Sequence, residues 1–358
     1  MPRGDLRMCF CSTCGFVFNS AFDPVLMVYN ADYNNTQESS ECFKQHLSAL
    51  KEKLTVESGL KNSTIAEIGC GKGFFLKMLI LDESLGNRGF GFDPSYEGEE
   101  VMAEGRLTFE KKYFDGNCRG FKADALICRH VIEHIPNPRQ FVEEISVALG
   151  ASPGCRLFFE TPCIDWIFDN LTIWDFFYEH CSLFSAESLT ILFNHCGYQI
   201  KRLEHVFGNQ YLWMEAAKSS ESTDVSIYTG KTFEKMKKFA AYERGVIARW
   251  NKTVQHLKGL GSLAVWGAGA KGVTFVNLLD RRRDLIDLII DLNPAKHDKY
   301  IPGTGHKVVG YEDIAGAGIK NVIVMNPNYI EEIRAMLSKS GVKVNLITEP
   351  GEYNENSD

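Results

Sequence analysis

Four residues in the first quarter of the chain have the types and the spacing of a ligand-binding turn: Glu67, Gly69, Gly71 and Gly73. An apolar run, residues 65–68, precedes the glycines, and a run with helical periodicity, residues 74–81, follows them. This order predicts a strand, a glycine turn and a helix, and such a turn lets a ligand approach the backbone beside a helix N-terminus. A tight turn without a ligand would have the same glycines, so the turn alone does not decide between the two.

A second acid makes a ligand site the better interpretation. Asp93 ends the next apolar run, residues 89–92. Both Asp93 and Glu67 are therefore expected at the C-terminal ends of adjacent strands, which is the edge where open α/β sheets bind ligands. The acid, the glycines and the second acid occur in the order that such a site requires.

A second glycine turn competes for the same role. Residues 267–272 form a complete GxGxxG after the apolar run 263–266, and Asp291 follows 19 residues past Gly272. This pattern satisfies the dinucleotide fingerprint. An NAD-binding domain is therefore an alternative interpretation.

Histidines follow two further apolar runs. The run 125–128 leads to His130, Glu133 and His134, which taken alone could ligate a metal. The run 156–160 leads through an aromatic insert to His180. An imidazole titrates near pH ~6.5 and suits general base catalysis, whereas an isolated histidine is more often a hydrogen-bonded core residue.

Three cysteines lie in the N-terminal segment: Cys9, Cys11 and Cys14. Cys11 and Cys14 form a CxxC knuckle, whose two thiolates can share one zinc ion. A structural zinc site needs four ligands, and the chain has no second CxxC, so Cys42 or His46 would have to be a distant fourth ligand. A zinc site and the remnant of one both remain open.

Composition restricts the class of protein. The 358 residues predict two domains, or three if one is small, and 44% hydrophobic with 24% charged residues is ordinary for a globular protein. The net charge of −7 argues against nucleic acid as a partner, and no run of ~18 apolar residues predicts a membrane span. Without a signal-peptide core or a disulfide framework, the expected location is the cytoplasm.

The predicted fold is α/β with two units. The first is a seven-stranded sheet that ends in an antiparallel pair, residues 199–207 and 211–217, and the second is a Rossmann-like unit. The predicted divisions are residues 1–45, a partial zinc knuckle and cleft-covering segment; 46–218, the first domain; 219–260, a linker with a long helix; 261–350, the second domain; and 351–358, a disordered tail. Tyr33 in the first segment is a candidate to cover the active site and contact the substrate.

The first turn together with Asp93 resembles motif I and the following acidic position of class I S-adenosylmethionine (SAM)-dependent methyltransferases. The resemblance implies that Gly69, Gly71 and Gly73 make room for the methionine part of the cofactor, with Glu67 beside it. Asp93 would accept hydrogen bonds from the ribose hydroxyls. Residues 130–138 resemble the segment after the fourth strand of the same class, which implies that His130 lines the cofactor cleft and argues against a metal role.

Five motifs in order resemble the three-domain sugar C-methyltransferases of deoxysugar biosynthesis, which have a zinc-binding module, a methyltransferase domain and a C-terminal Rossmann-like domain. The motifs are Cys11-x-x-Cys14-Gly15, Glu67-x-Gly69-x-Gly71-x-Gly73, Tyr178-Glu179-His180-x-Ser182-x-Phe184-Ser185, Gly267-x-Gly269-x-Lys271-Gly272, and Asp291-x-Asn293-Pro294 with Ile301-Pro302-Gly303-Thr304. The chain departs from this family in two places. The first zinc-cysteine pair is absent, as in an N-terminally truncated member, and Phe177 stands where the sugar enzymes usually have a tyrosine.

The resemblance also implies residue roles. His180 would be the general base, Glu179 would position it or the substrate, and Tyr178 would supply the nearby phenol. Lys271 and Asn293 would bind the nucleotide or another polar tail of the substrate, with Lys271 at a phosphate. The implied reaction is C-methylation of a nucleotide-linked keto sugar or a similar activated small molecule, through an enolate that His180 generates.

Three alternatives remain at this stage. An O- or N-methyltransferase acting on a small molecule could use the same scaffold. An NAD-dependent oxidoreductase would use the Gly267 turn as its cofactor site. A binding protein could keep the cofactor fold without catalysis.

Overall fold

A computed structural model describes residues 4–27, 37–115, 118, 120–219 and 228–351. Tyr33 and nearly all of the predicted tail, residues 352–358, lie outside the described residues. The strands, in chain order, are β1 (Met8–Phe10), β2 (Val17–Asn19), β3 (Thr64–Ile68), β4 (Arg88–Phe92), β5 (Val101–Met102), β6 (Leu107–Glu110), β7 (Ala125–Arg129), β8 (Arg156–Pro162), β9 (Ser182–Leu183), β10 (Tyr198–Val206), β11 (Tyr211–Lys218), β12 (Leu263–Trp266), β13 (Leu288–Ile290), β14 (Val308–Val309), β15 (Asn321–Val324) and β16 (Asn345–Ile347).

The α-helices of the same residues are α1 (Glu41–Glu52), α2 (Phe74–Ile80), α3 (Pro138–Ala148), α4 (Ile164–Asn170), α5 (Ala186–His195), α6 (Lys231–Leu260), α7 (Ala270–Leu279), α8 (Asp313–Gly316) and α9 (Ile330–Lys339). The predicted domain boundary at residue 46 falls inside α1. None of these helices combines the length and the apolar character that a membrane crossing requires.

The larger sheet has the order β10-β11-β8-β7-β3-β4-β6-β5. Its centre is parallel, with β3 between β4 and β7, and β11 runs antiparallel to both β8 and β10. The α/β class and the terminal antiparallel pair are confirmed. The sheet has eight strands rather than seven because β5, two residues long, pairs antiparallel with β6 at the edge. Two residues are too few to give a periodic signal in the sequence.

The second sheet is fully parallel, in the order β14-β13-β12-β15-β16. It confirms the predicted second α/β unit. Its strand β12 leads into the second glycine turn, and β13 ends just before Asp291. Both units therefore present a glycine turn at the C-terminal edge of a parallel sheet, where such folds bind ligands.

A third, small sheet joins β1, β2 and β9. Val17 and Phe18 pair with Leu183 and Ser182 across a long stretch of chain. The sequence does not predict this sheet, because strands of two or three residues carry no periodicity and their pairing depends on the tertiary fold. It ties the N-terminal segment to the chain immediately after His180.

Three aromatic rings hold the second domain against the first. Trp174 precedes His180, Trp250 lies on the 30-residue helix α6, and Phe275 lies on α7. The three ring centroids are 5.2–5.6 Å apart and all three pairs meet edge to face, a favoured aromatic geometry. The linker helix is therefore part of the core and not only a connection.

Trp250→Ala is expected to lower the free energy of unfolding by about 3–5 kcal/mol, because it removes a fully buried ring and leaves a cavity. Denaturant unfolding followed by circular dichroism measures this change. Tyr242→Ala on the same helix is the control, because that side chain is 60% exposed and its loss should cost about 0.5 kcal/mol or less. Equal effects of the two substitutions would show that α6 is not part of the core.

Candidate active site

The first glycine turn follows β3 at the centre of the larger sheet. Gly69 and Gly71 have φ values of 67° and 55°, which glycine adopts without steric cost. A β-carbon at Gly69 would lie 2.2 Å from Cγ2 of Val131, whereas one at Gly71 would have no neighbour within 4 Å. Gly71 thus faces open space, which a side chain would occupy and a ligand can use.

Gly73 has a packing reason to be a glycine. A β-carbon there would lie 2.5 Å from the ring of Phe109. Gly73 is also absent from the lining of the cleft described below. Its missing side chain lets the start of α2 pack on Phe109.

Asp93 lies beside Glu67, as the sequence predicts, because β3 and β4 are parallel neighbours. Its Oδ2 accepts a hydrogen bond from the N–H of Gly71 at 2.8 Å. Its Oδ1 accepts from the N–H and the hydroxyl of Ser95, both at 2.7 Å. These bonds fix the carboxylate, and Oδ2, which accepts only one of them, keeps a further lone pair for a ligand donor.

Glu67 is only 2% exposed and lines the cleft. Burial raises its pKa to about 7, although Arg129 opposes the shift, and the charge of Asp93 adds to it. Its Oε2 is buried and has no hydrogen-bond partner in the described residues. A buried acceptor without a partner is costly, so a donor from a ligand would be favoured there.

A network of buried charges lies behind the turn and centres on Glu160 at the end region of β8. Its carboxylate contacts Nε of Arg129 at 2.8 Å, Nε2 of His46 at 2.6 Å and Nε2 of His130 at 3.4 Å. Glu160 is fully buried, and burial raises its pKa, but Arg129 and His130 outweigh this and hold the pKa well below the usual value. His46 is therefore a partner of Glu160 rather than a zinc ligand.

His130 lines the cleft, but its ring is held by protein groups. Its Nδ1 is 3.3 Å from Oε1 of Glu133, and its φ of 52° is unusual for a residue with a side chain. Burial opposes its charged form, but Glu160 and Glu133 raise its pKa to about 9. The structure thus makes His130 a charged neighbour of the cleft.

His180 also lines the cleft, where it meets two other rings. Its centroid is 3.9 Å from that of Phe177 and 4.9 Å from that of His134. Its pKa lies well below the usual value, mainly because the ring is buried and also because His134, His130 and Lys271 are nearby. The imidazole is therefore neutral near pH 7 and has a lone pair that can accept a proton.

Tyr178 and Glu179 do not line the cleft. The hydroxyl of Tyr178 accepts a hydrogen bond from the N–H of Asp23 at 2.7 Å, and its ring packs near Phe22. The structure therefore separates the three adjacent residues, because the chain turns at Tyr178 to meet the N-terminal segment. Phe177 takes the cleft position beside His180, so the phenol expected there is replaced by an apolar ring.

The sequence does not indicate that His134 meets His180. Ligand atoms of Glu133, His134 and His180 lie within 4.8 Å of one another. The carboxylate of Glu133 already accepts from the hydroxyl of Thr161 at 3.1 Å and contacts His130. Because the carboxylate has these partners and His180 suits a base, we assign the group no metal role.

Protein contacts hold the second glycine turn in place. A β-carbon at Gly272 would lie 1.8 Å from the carbonyl oxygen of Gly267, so this glycine serves close packing of α7 on the turn. Oδ2 of Asp291 accepts from the N–H of Ala268 at 2.7 Å, and its Oδ1 accepts from the N–H of Asn293 at 2.9 Å. Asp291 thus anchors its own loop.

The predicted substrate residues of this domain both line the cleft. Oδ1 of Asn293 accepts from the N–H of Ala295 at 3.0 Å and so caps a short helical turn. Nζ of Lys271 lies 2.6 Å from Oδ1 of Asp175 in the first domain. The lysine therefore has a carboxylate partner already, which the sequence does not indicate.

One cavity of about 540 Å³ joins the two glycine turns. Its lining includes Gly71 and His180 from the first domain, and Gly269 and Asn293 from the second. This volume is in the range of small-molecule sites. The two domains thus contribute to a single site.

Side chains bridge the domains along the cleft. Nδ2 of Asn326 and Nδ2 of Asn328 donate to Oε1 of Gln210 at 2.9 and 3.1 Å. The carboxylate of Glu332 accepts from the hydroxyl of Ser40 and from the N–H of Glu41, both at 2.6 Å. The second domain thereby caps the first turn of α1.

The cysteine knuckle is present as a tight turn in which the N–H of Gly15 donates to the carbonyl of Cys11 at 2.9 Å. In the described part of the chain, Cys9 does not join Cys11 and Cys14 in a group of three metal-ligating atoms. Cys42 donates to the carbonyl of Asn328 instead. A zinc ion at the knuckle would need ligands beyond these groups.

The fold together with two family-model matches makes the chain a SAM-dependent methyltransferase. Residues 40–203 match the family model described as a methyltransferase domain, and residues 220–345 match the one described as a C-methyltransferase C-terminal domain. The first match ends within β10 and the second begins after β11. No curated protein sequence matches the chain.

Solved structures are similar to about half of the chain. Magnesium protoporphyrin IX methyltransferase from Synechocystis PCC 6803, solved with bound SAH, has 20% identity and a TM-score of 0.39 over 52% of this chain and 89% of that one. The 1,6-didemethyltoxoflavin-N1-methyltransferase from Burkholderia thailandensis has 13% identity and a TM-score of 0.37 over 49% of this chain and 79% of that one.

The cofactor is SAM, and the residues of the first turn fit it. Gly71 leaves open space at the turn, the partnerless Oε2 of Glu67 suits a donor such as an ammonium group, and Asp93 keeps acceptor capacity for hydroxyl groups. Glu67, Gly69, Gly71 and Asp93 would therefore hold it, with His130 alongside. Bound SAM supplies an electrophilic methyl group.

Proposed function

We propose that the protein is a C-methyltransferase that acts on a nucleotide-linked keto sugar or a similar activated small molecule. The observation that carries this proposal is the single cavity that contains the methyl-donor turn, the neutral imidazole of His180 and the glycine turn of the second domain. The match of the second domain to a C-methyltransferase C-terminal domain supports methylation at carbon.

His180 is the proposed general base. A carbon-bound proton next to a ketone is acidic enough for a neutral imidazole to remove, and the enolate that forms carries its electron pair on the carbon to be methylated. Phe177 packs on His180 and limits water at the ring. Tyr178, whose hydroxyl is bonded to Asp23, has no place in this step.

The second domain is proposed to hold the nucleotide or another polar tail of the acceptor. The backbone near Gly269 and the side chain of Asn293 line its half of the cavity. Because Lys271 is paired with Asp175, we do not retain a direct phosphate contact for it. We propose residues 261–350 as the second domain. The first domain is proposed to begin with α1 rather than at residue 46.

Product analysis tests the proposal. With SAM labelled with ¹³C at the methyl group and a nucleoside-diphosphate 4-keto-6-deoxyhexose as the probe, the label is expected on a ring carbon by NMR. In D₂O with S-adenosylhomocysteine in place of SAM, the wild-type protein should exchange the proton next to the ketone for deuterium. A label on oxygen or nitrogen would overturn C-methylation and establish an O- or N-methyltransferase.

A further inference from the structure

Asp175 presents a carboxylate oxygen that the protein leaves without a partner. The residue follows α4 in the short turn Ile173–Asp175, is 6% exposed and lines the cavity. Its Oδ1 pairs with Nζ of Lys271 at 2.6 Å, while its Oδ2 is buried and accepts no hydrogen bond from the described residues. Buried carboxylate oxygens are normally satisfied, so a partner from the cavity would complete this one.

The charge of Asp175 is already balanced. Lys271 neutralises it, and the ammonium group also lies 5.2 Å from the ring centroid of Trp166, which stabilises a cation. A neutral donor can bond to Oδ2 without disturbing this pair, whereas a second cation would be repelled by Lys271. A hydroxyl group is therefore a better partner for Oδ2 than an ammonium group.

The pair also lies close to the chemistry. Asp175, Lys271 and His180 all line the same cavity, and Phe177, two residues after Asp175, packs on the ring of His180. A group bonded to Asp175 would thus belong to the part of the acceptor near the reacting carbon. The nucleotide tail would lie on the other side of this pair, along Asn293.

We infer that Oδ2 of Asp175 accepts a hydrogen bond from a ring hydroxyl of the methyl acceptor and so selects polyhydroxylated acceptors. This inference rests on the proposed function and names a specificity residue for it. Asp175 and Lys271 come from different domains, so the selecting group is complete only when the two domains are packed together.

Calorimetry of acceptor binding in the presence of S-adenosylhomocysteine tests this inference. The probes are a nucleoside-diphosphate 4-keto-6-deoxyhexose and two analogues, each with one ring hydroxyl replaced by hydrogen. Asp175→Asn should weaken binding of the parent sugar by about 10- to 100-fold, the range expected for a hydrogen bond to a charged group. One deoxy analogue should bind the wild type more weakly than the parent sugar by a similar factor. Asp175→Asn should bind this analogue and the parent sugar equally, because the two changes remove the same hydrogen bond.

Asp165→Asn is the matched control. Oδ1 of Asp165 is also buried without a hydrogen-bond partner, but the residue does not line the cavity. Sugar affinity should be unchanged in this variant, and S-adenosylhomocysteine affinity should be unchanged in both. Melting curves show whether each variant is folded.

Two results would overturn the inference, and they differ. If the wild type binds the parent sugar and Asp175→Asn binds it equally well, only the role of Asp175 fails. If the wild type neither binds this sugar nor exchanges its proton for deuterium, the proposed function fails and the inference falls with it.

Discussion

Replacing His180 with glutamine is expected to lower kcat about 10²- to 10⁴-fold, the usual contribution of a general base. Glutamine keeps a polar side chain of similar length but cannot take up a proton. Single-turnover assays with ¹⁴C-methyl SAM measure the rate. Binding of S-adenosylhomocysteine should be unchanged, because the predicted cofactor residues follow β3, β4 and β7 and do not include His180.

The pH dependence gives a second readout for His180. Burial and the neighbouring His134 and His130 hold its pKa well below 6.5, so the reactive neutral form persists as the pH falls through that value. The acidic limb of kcat/KM should therefore lie below pH 6.5 rather than at it. The solvent exchange of the acceptor proton should follow the same limb.

His195→Gln is the control for this substitution. His195 lies in the last turn of α5, is exposed and does not line the cavity. Its replacement should leave kcat and the pH profile unchanged. Full turnover by His180→Gln, with an unchanged pH profile, would remove His180 from the chemistry.

Replacing Glu160 with glutamine is expected to lower the free energy of unfolding by about 3–5 kcal/mol, because it leaves buried positive charges uncompensated. Arg129 and His46 would keep their hydrogen-bond partner but lose its charge. His130 would lose the carboxylate that raises its pKa more than Glu133 does. Urea unfolding at pH 7 measures the change.

The free energy of unfolding should differ less between the wild type and Glu160→Gln as the pH rises. His130 has a folded-state pKa of about 9, above the ordinary 6.5, so its contribution to stability is complete below pH 6.5 and is lost as the pH rises through 9. Burial works against this charge, and Glu160 is the main group that sustains it. Between pH 7 and pH 9 the wild type should lose more stability than Glu160→Gln. The free energies of unfolding of the two proteins should therefore converge.

Glu215→Gln on β11 is the matched control. Glu215 lies in the strand next to Glu160 and pairs with Arg156 at 3.4 Å, where both side chains are partly exposed. Such a pair contributes about 0–1 kcal/mol, so this variant should remain close to wild type. A Glu160→Gln protein as stable as Glu215→Gln would show that the buried network does not stabilise the fold.

The parts of the site that are contiguous in sequence could be predicted from it. Strand β3, the turn from Glu67 to Gly71 and the acid Asp93 follow one another along adjacent strands, so hydrophobic runs and glycines suffice to place them together. The second glycine turn was predicted in the same way. Gly73 shows the limit, because only the position of Phe109 reveals that this glycine serves packing.

Residues that meet across long sequence separations could not be predicted. His134 reaches His180, Glu160 reaches His46, and Asp175 reaches Lys271 only because the sheets and α6 bring distant segments together. The direction of each side chain decides which of two neighbouring residues lines the cleft. Tyr178 and His180 are two residues apart, yet one bonds to the N-terminal segment and the other lines the cleft.

The sequence by itself determined the α/β class, the two glycine turns and the place of the proposed methyl-donor site, because periodicity and turn chemistry are local properties. Only the tertiary structure decided which groups share the cavity, which carboxylates are balanced by cations and which histidine is neutral. These properties depend on burial and on charges that arrive from other elements, and no local pattern records either.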